Sequence, residues 1–159
     1  MSGAGVAALL GILWQSRELA LLENGDPIRV YGFGTPCVIS PNIGNRYVER
    51  ITSVVMGDDM VPRFSLQSFQ RLRDSCISIW AGGELNPETT CVDHEQQLTP
   101  PGKILWMHYN TTSLANNEIA HHLQVIECSN GDIIFKDLVV SPSMFTNHLP
   151  QHYYMLADR

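Results

Sequence analysis

The chain has 159 residues, 44% of them hydrophobic and 16% charged, with a formal charge of −6. That is the length of one domain, apolar enough for a sizeable core and too apolar for disorder. Its ten Lys and Arg are scattered and form no basic stripe, which argues against nucleic acid as a partner, and no apolar run reaches the roughly 18 residues of a membrane span.

Gly5 to Leu22 reads as a helix, with Val6, Leu9, Leu10, Leu13 and Leu21 recurring on one face. Asn24-Gly25-Asp26-Pro27 stops it. The segment Gly3 to Trp14 has the length of a signal-peptide core, but the chain opens Met-Ser-Gly without the Lys or Arg of such a leader. The expected location is therefore cytoplasmic or peripheral to a membrane, with no signal peptide or transmembrane segment. Ile28 to Phe33 predicts a strand, followed by a turn at Gly34-Thr35-Pro36. Ile51 to Met56 predicts a second strand, β-branched and buried on both faces. Ser65 is placed to cap a helix carrying Leu66, Phe69, Leu72, Cys76 and Ile79 on one face.

Gly82 to Gly102 holds three prolines and several acids and predicts an exposed loop. Lys103 to Tyr109 predicts a third strand. His122 to Glu127 and Asp132 to Lys136 predict two more, joined by a hairpin turn at Ser129-Asn130-Gly131. Pro142 to Arg159 begins as a loop and ends in a short helix. This order suits an α/β layered domain with a mixed sheet. Trp14, Trp80 and Trp106 are expected in or near the core.

Cys37, Cys76, Cys91 and Cys128 are far apart, without a C-x-x-C pair. They read as reduced thiols, mostly buried. Cys91, Asp93, His94, His121, His122 and Cys128 could offer metal ligands, but no two pairs stand at zinc-finger spacing, so no metal is expected.

Two places could hold chemistry. The strand Ile51–Met56 runs out into Asp58 and Asp59, and strand carboxyl ends are where α/β sheets collect ligands and catalytic groups. A solvated turn is the plain alternative. His148 stands in a late loop as a candidate general base, with His152 four residues on.

Five phrases stand in order along the chain: Gly3-Ala4-Gly5-Val6-Ala7-Ala8-Leu9-Leu10, Tyr31-Gly32-Phe33-Gly34-Thr35-Pro36, Val54-Val55-Met56-Gly57-Asp58-Asp59-Met60-Val61-Pro62-Arg63, Pro100-Pro101-Gly102-Lys103-Ile104 and Met144-Phe145-Thr146-Asn147-His148-Leu149-Pro150. Together they resemble the C-terminal part of a class 3 (fungal-type) lipase, closest to the diacylglycerol lipase branch. The resemblance implies a Ser–Asp–His hydrolase of acylglycerol esters that uses no cofactor. It maps the catalytic acid to Asp59 rather than Asp58, because the acid precedes x-Val-Pro, and the catalytic histidine to His148. Arg63 is then expected to pair with Asp58, leaving Asp59 for His148.

The nucleophile is not where the resemblance asks for it. Gly3-Ala4-Gly5 matches the end of an elbow similar to Gly-His-Ser-Leu-Gly-Ala-Gly, so Met1 falls at the serine position. Ser2 is one residue out of register, and no Gly-x-Ser-x-Gly occurs in the sequence. The expectation is one partial domain over residues 1–159, an incomplete C-terminal half of an α/β-hydrolase fold with a mixed sheet flanked by helices. Such a chain would be inactive alone. Its strand Ile28–Phe33 would be an open edge able to pair with another chain. A non-catalytic binding or regulatory module is the alternative.

Overall fold

The computed structural model describes residues 2–16, 27–83, 97–113, 119–129 and 133–157. In chain order these form helix α1 (Ser2–Ser16), strand β1 (Val30–Phe33), a one-turn helix α2 (Pro41–Gly44), strand β2 (Ile51–Met56), helix α3 (Leu66–Trp80), strands β3 (Lys103–Ser113) and β4 (Ile119–Cys128), and helix α4 (Pro150–Ala157). Short 3-10 turns add Val61–Arg63, Ile133–Phe135 and Thr146–His148. The strands form one mixed sheet in the order β1-β2-β3-β4. β1 and β3 run parallel to β2, and β4 runs antiparallel to β3. Among the described residues no helix is long and apolar enough to cross a membrane.

β2 is the centre of the sheet and is buried almost throughout, as its β-branched run predicts. Val55, Ile104, Cys128 and Phe135 make the core, with Trp106, Ile126 and Ile134 packed against it. Phe135 belongs to a correction. In place of the strand expected over Asp132–Lys136, residues 133–135 form a 3-10 turn that drops Phe135 into the core, while 130–132 lie outside the described residues. The hairpin is formed one connection earlier, by β3 and β4, with Ile104 opposite Cys128 and Ser113 opposite Ile119.

α1 also packs on a face other than the expected one. Val6, Leu9, Leu10 and Leu13 are exposed, while Gly5, Ala8 and Gly11 are buried. These three small residues form a stripe at spacing three that lets the helix approach the β1 region closely. A Cβ at Gly5 would lie 2.9 Å from Pro36 Cγ, and one at Gly11 2.7 Å from Val30 Cγ2. The expected tail of this helix, 17–22, lies outside the described residues.

α3 begins at Ser65 as predicted. The Ser65 hydroxyl accepts from Ser68 N at 3.0 Å, and the Ser68 hydroxyl accepts from Ser65 N at 2.9 Å, a reciprocal cap. Its apolar residues Leu66, Phe69, Cys76 and Ile79 are nonetheless exposed. Trp80 is 91% exposed and Trp14 is exposed too, so of the three tryptophans only Trp106 approaches the core. Of the segment 82–102, Gly82 and Gly83 are exposed and 84–96 lie outside the described residues. Gln97 and Thr99 to Gly102 are buried, because Thr99 bridges to Ile39 and the Ser53 hydroxyl donates to Pro101 O at 2.7 Å.

Candidate active site

The chain turns sharply where β1 and β2 end. After β2, Asp59 N donates to Met56 O at 2.9 Å, closing a turn that carries Asp58 and Asp59 off the strand end. After β1, Gly34 takes a φ of +58°, a conformation that favours glycine. A Cβ there would lie 2.9 Å from His148 Nδ1 and 3.0 Å from Asp59 Oδ2. The bare glycine backbone thus forms one wall of the space that holds the two side chains.

Asp59 is fully buried and His148 is 8% exposed. His148 Nδ1 lies 2.9 Å from each Asp59 carboxylate oxygen. The imidazole is delivered by the 3-10 turn Thr146–His148 at the end of a long loop. That loop is pinned to the Asp59 turn by Met60 N donating to Met144 O at 3.2 Å and by the Ser143 hydroxyl donating to Asp58 Oδ2 at 3.2 Å. The pair joins residues 89 apart in sequence. An ionised carboxylate only accepts, so the Nδ1 position carries the proton and Nε2 is left as the basic nitrogen. This is the arrangement in which an acid orients an imidazole for general-base work.

Each acid oxygen has a second donor. Val61 N donates to Oδ1 at 2.9 Å, and the Tyr153 hydroxyl donates to Oδ2 at 2.7 Å. Burial first, and then the Asp59 charge and hydrogen bond, push the Tyr153 phenol far above its ordinary value, so it stays a neutral donor.

Arg63 does not pair with Asp58. Its Nη2 donates to Gly57 O at 3.1 Å and its Nη1 to Ile134 O, and the guanidinium sits 4.9 Å from the Phe135 ring centre. Burial lowers its affinity for the proton, and the charges of Asp58 and Asp59 partly offset this. Trp106 Nε1 also donates to Gly57 O, at 2.8 Å. Asp58 and Asp59 are thereby held from beneath by a buried cation that bonds the backbone of their turn rather than either carboxylate. His152 is half-buried on α4, and the imidazole at Asp59 is that of His148. Cys91 and His94 lie outside the described residues, and among those described no group of metal ligands assembles. Burial pushes the Cys37 thiol up to about 12.

α1 reaches the same end of the sheet. A Cβ on Gly32, two residues before Gly34, would meet Thr35 and also the Ala4 Cβ, the latter at 3.5 Å. A helix start, two strand ends, a buried carboxylate and an imidazole therefore gather in one region. Residues 2–69 match the family model for lipase (class 3). The matched stretch runs from α1 to the first turn of α3; it includes Asp59 and stops well before His148. The match supports a class 3 lipase origin for that stretch and, with the mixed sheet, a hydrolase-like α/β arrangement. Searches of curated proteins and of solved structures gave no match.

Sequence reasoning missed two contributors. Tyr153 stands on α4, in the short helix that the sequence predicts without marking any site residue on it, yet its hydroxyl reaches back to the acid. Phe135 was assigned to a strand, and only its burial beside Arg63 identifies it as a support of the Asp59 turn.

Proposed function

We propose that this chain carries the acid and the base of a serine lipase acting on acylglycerol esters, of the diacylglycerol lipase branch, in the cytoplasm or peripheral to a membrane. The observation that carries the reading is the buried Asp59–His148 pair, set at strand carboxyl ends beside the start of α1. In the reaction a serine hydroxyl attacks the ester carbonyl. His148 Nε2 accepts the serine proton and returns it to the leaving alcohol. Asp59 holds the Nδ1–H tautomer and offsets the imidazolium charge. No cofactor takes part.

The serine that the pair would serve does not stand in a Gly-x-Ser-x-Gly elbow anywhere in the 159 residues. The chain by itself is therefore inactive, and a fluorophosphonate probe leaves it unlabelled; labelling at Ser2 would overturn that. The decisive test replaces Met1 by a class 3 lipase N-terminal half that ends in its Gly-x-Ser elbow, so that the elbow reads on through Ser2 and Gly3, and measures fatty-acid release from diacylglycerol. Turnover is expected, with Asp59→Asn lowering kcat by about 10⁴-fold and His148→Ala by a similar factor. Turnover indifferent to both substitutions sinks the reading.

A second reading, a non-catalytic module that pairs with another chain, is favoured by one observation. β1 is the sheet edge among the described residues and exposes Tyr31 and Phe33. Fluorophosphonate labelling of the fused protein argues against it.

A further inference from the structure

We infer that Tyr153 is a positioning residue for the acid: its hydroxyl, fixed by the end of β2, locks the Asp59 carboxylate in the plane that faces His148. The inference rests on the reading of Asp59 and His148 as acid and base. Four contacts carry it. Asp59 has no exposure to water, so its charge depends on protein donors. Val61 N–H holds Oδ1, the Tyr153 hydroxyl holds Oδ2, and His148 Nδ1 is equidistant from both. Without one of the two outer donors the carboxylate could rotate about its Cβ–Cγ bond and present a single oxygen to the imidazole.

The direction of the tyrosine proton is itself determined. Met56 N donates to the Tyr153 oxygen at 3.2 Å, so the oxygen's acceptor side is occupied and its own proton is left to point at Asp59. The ring is held edge-on to Phe33, with centroids 5.7 Å apart and planes at 74°. Both anchors come from the strands that shape the site, Phe33 from β1 and Met56 from β2. The phenol therefore reports the positions of two strand ends to the acid. The other ionisable groups near Asp59 are Arg63, whose proton affinity its charge raises, and Asp58, which accepts from Ser143. Neither donates to the Asp59 oxygens in the described contacts, so the role falls to Tyr153.

The test is Tyr153→Phe in the full chain, read by the NMR signal of the His148 Nδ1 proton and by thermal melting. The substitution keeps the ring on Phe33 and removes only the hydroxyl. With one outer donor gone, the carboxylate turns away from the plane that faces His148 and its hold on the Nδ1 proton loosens. That proton is then expected to exchange with water about tenfold faster. A folded variant whose Nδ1 proton exchanges no faster overturns the inference, because a tyrosine that only props α4 would leave that contact in place. If the variant does not fold, the unsubstituted chain decides. A slowly exchanging hydroxyl proton on Tyr153 supports the bond, and a freely exchanging one overturns it. Neither readout involves ester hydrolysis, so the lock can fail while the lipase reading stands, and the reverse.

Discussion

The turn after β2 and the helix α3 that follows it are separated by only a few residues, yet they are stabilised in opposite ways. The turn puts Asp59, Arg63 and Pro62 inside, with the carboxylate accepting from Val61 N and the guanidinium donating to Gly57 O. α3 puts Ser68 inside and turns Leu66, Phe69, Ile77, Ile79 and Trp80 outward. Its contacts run along a polar seam at spacing three. Ser65 caps the helix, the Ser68 hydroxyl donates to Arg63 O at 2.8 Å, and Arg71 donates to Asp137 Oδ1 at 2.6 Å and to Gln97 Oε1 at 2.9 Å. The difference teaches that hydropathy alone does not decide which face is buried. The partner surface does, and here it offers the Asp137 carboxylate, the Gln97 amide oxygen and the Lys136 carbonyl to Arg71.

Three substitutions break or sharpen this contrast, and the largest effect is expected in the turn. Arg63→Ala removes two charge-assisted bonds, to Gly57 O and Ile134 O, and the contact with Phe135. It leaves two buried carbonyls short of a donor, although Trp106 Nε1 still serves Gly57 O. A loss of about 3 kcal/mol is expected in urea unfolding. The loss should be accompanied by weaker order at His148, since Arg63 holds the Gly57 carbonyl two residues from Asp59. A loss below 1 kcal/mol would show that the turn stands without its cation.

Ser65→Ala attacks the polar seam. It removes the acceptor for Ser68 N, one half of the reciprocal cap, while Ser68 keeps its bond to Arg63 O. About 1 kcal/mol should be lost by the same measurement, and restored by Ser65→Asp, which can accept the same bond. If Asp does not restore it, the seam and not the cap is what Ser65 contributes.

What could be read from the sequence follows the same division. β2, the Ser65 cap and the placement of Asp59 at a strand end were legible because each is local: a β-branched run, a capping residue, two acids after a strand. Asp59 and His148 were singled out by a family phrase, and the structure brings them to 2.9 Å. The burial of α1 was misread, because periodicity weights large apolar residues while the helix meets β1 through Gly5, Ala8 and Gly11. The strand expected at Asp132–Lys136 was misread for a related reason. Its apolar run suits a strand, but Phe135 is needed as a lid over Arg63, a demand set by a residue 72 positions earlier. Tyr153 carried no local signal, since a tyrosine on a short helix reads equally well as packing.

The smallest effect is expected on the outer face of α3. Trp80 is 91% exposed at the last position of the helix, so Trp80→Ser removes little that is buried in the chain alone. The change in unfolding free energy should stay within about 0.5 kcal/mol, the range of surface substitutions away from special features. The measurement sharpens the comparison because it has a concentration axis. If the apolar face is solvated in the isolated chain, the effect is small at every protein concentration. If another copy covers it, the unsubstituted chain gains stability as concentration rises and Trp80→Ser loses that gain. A loss above 1 kcal/mol that does not depend on concentration would mean that the outward face of α3 is covered within the chain itself. The polar seam would then share the task of holding the helix.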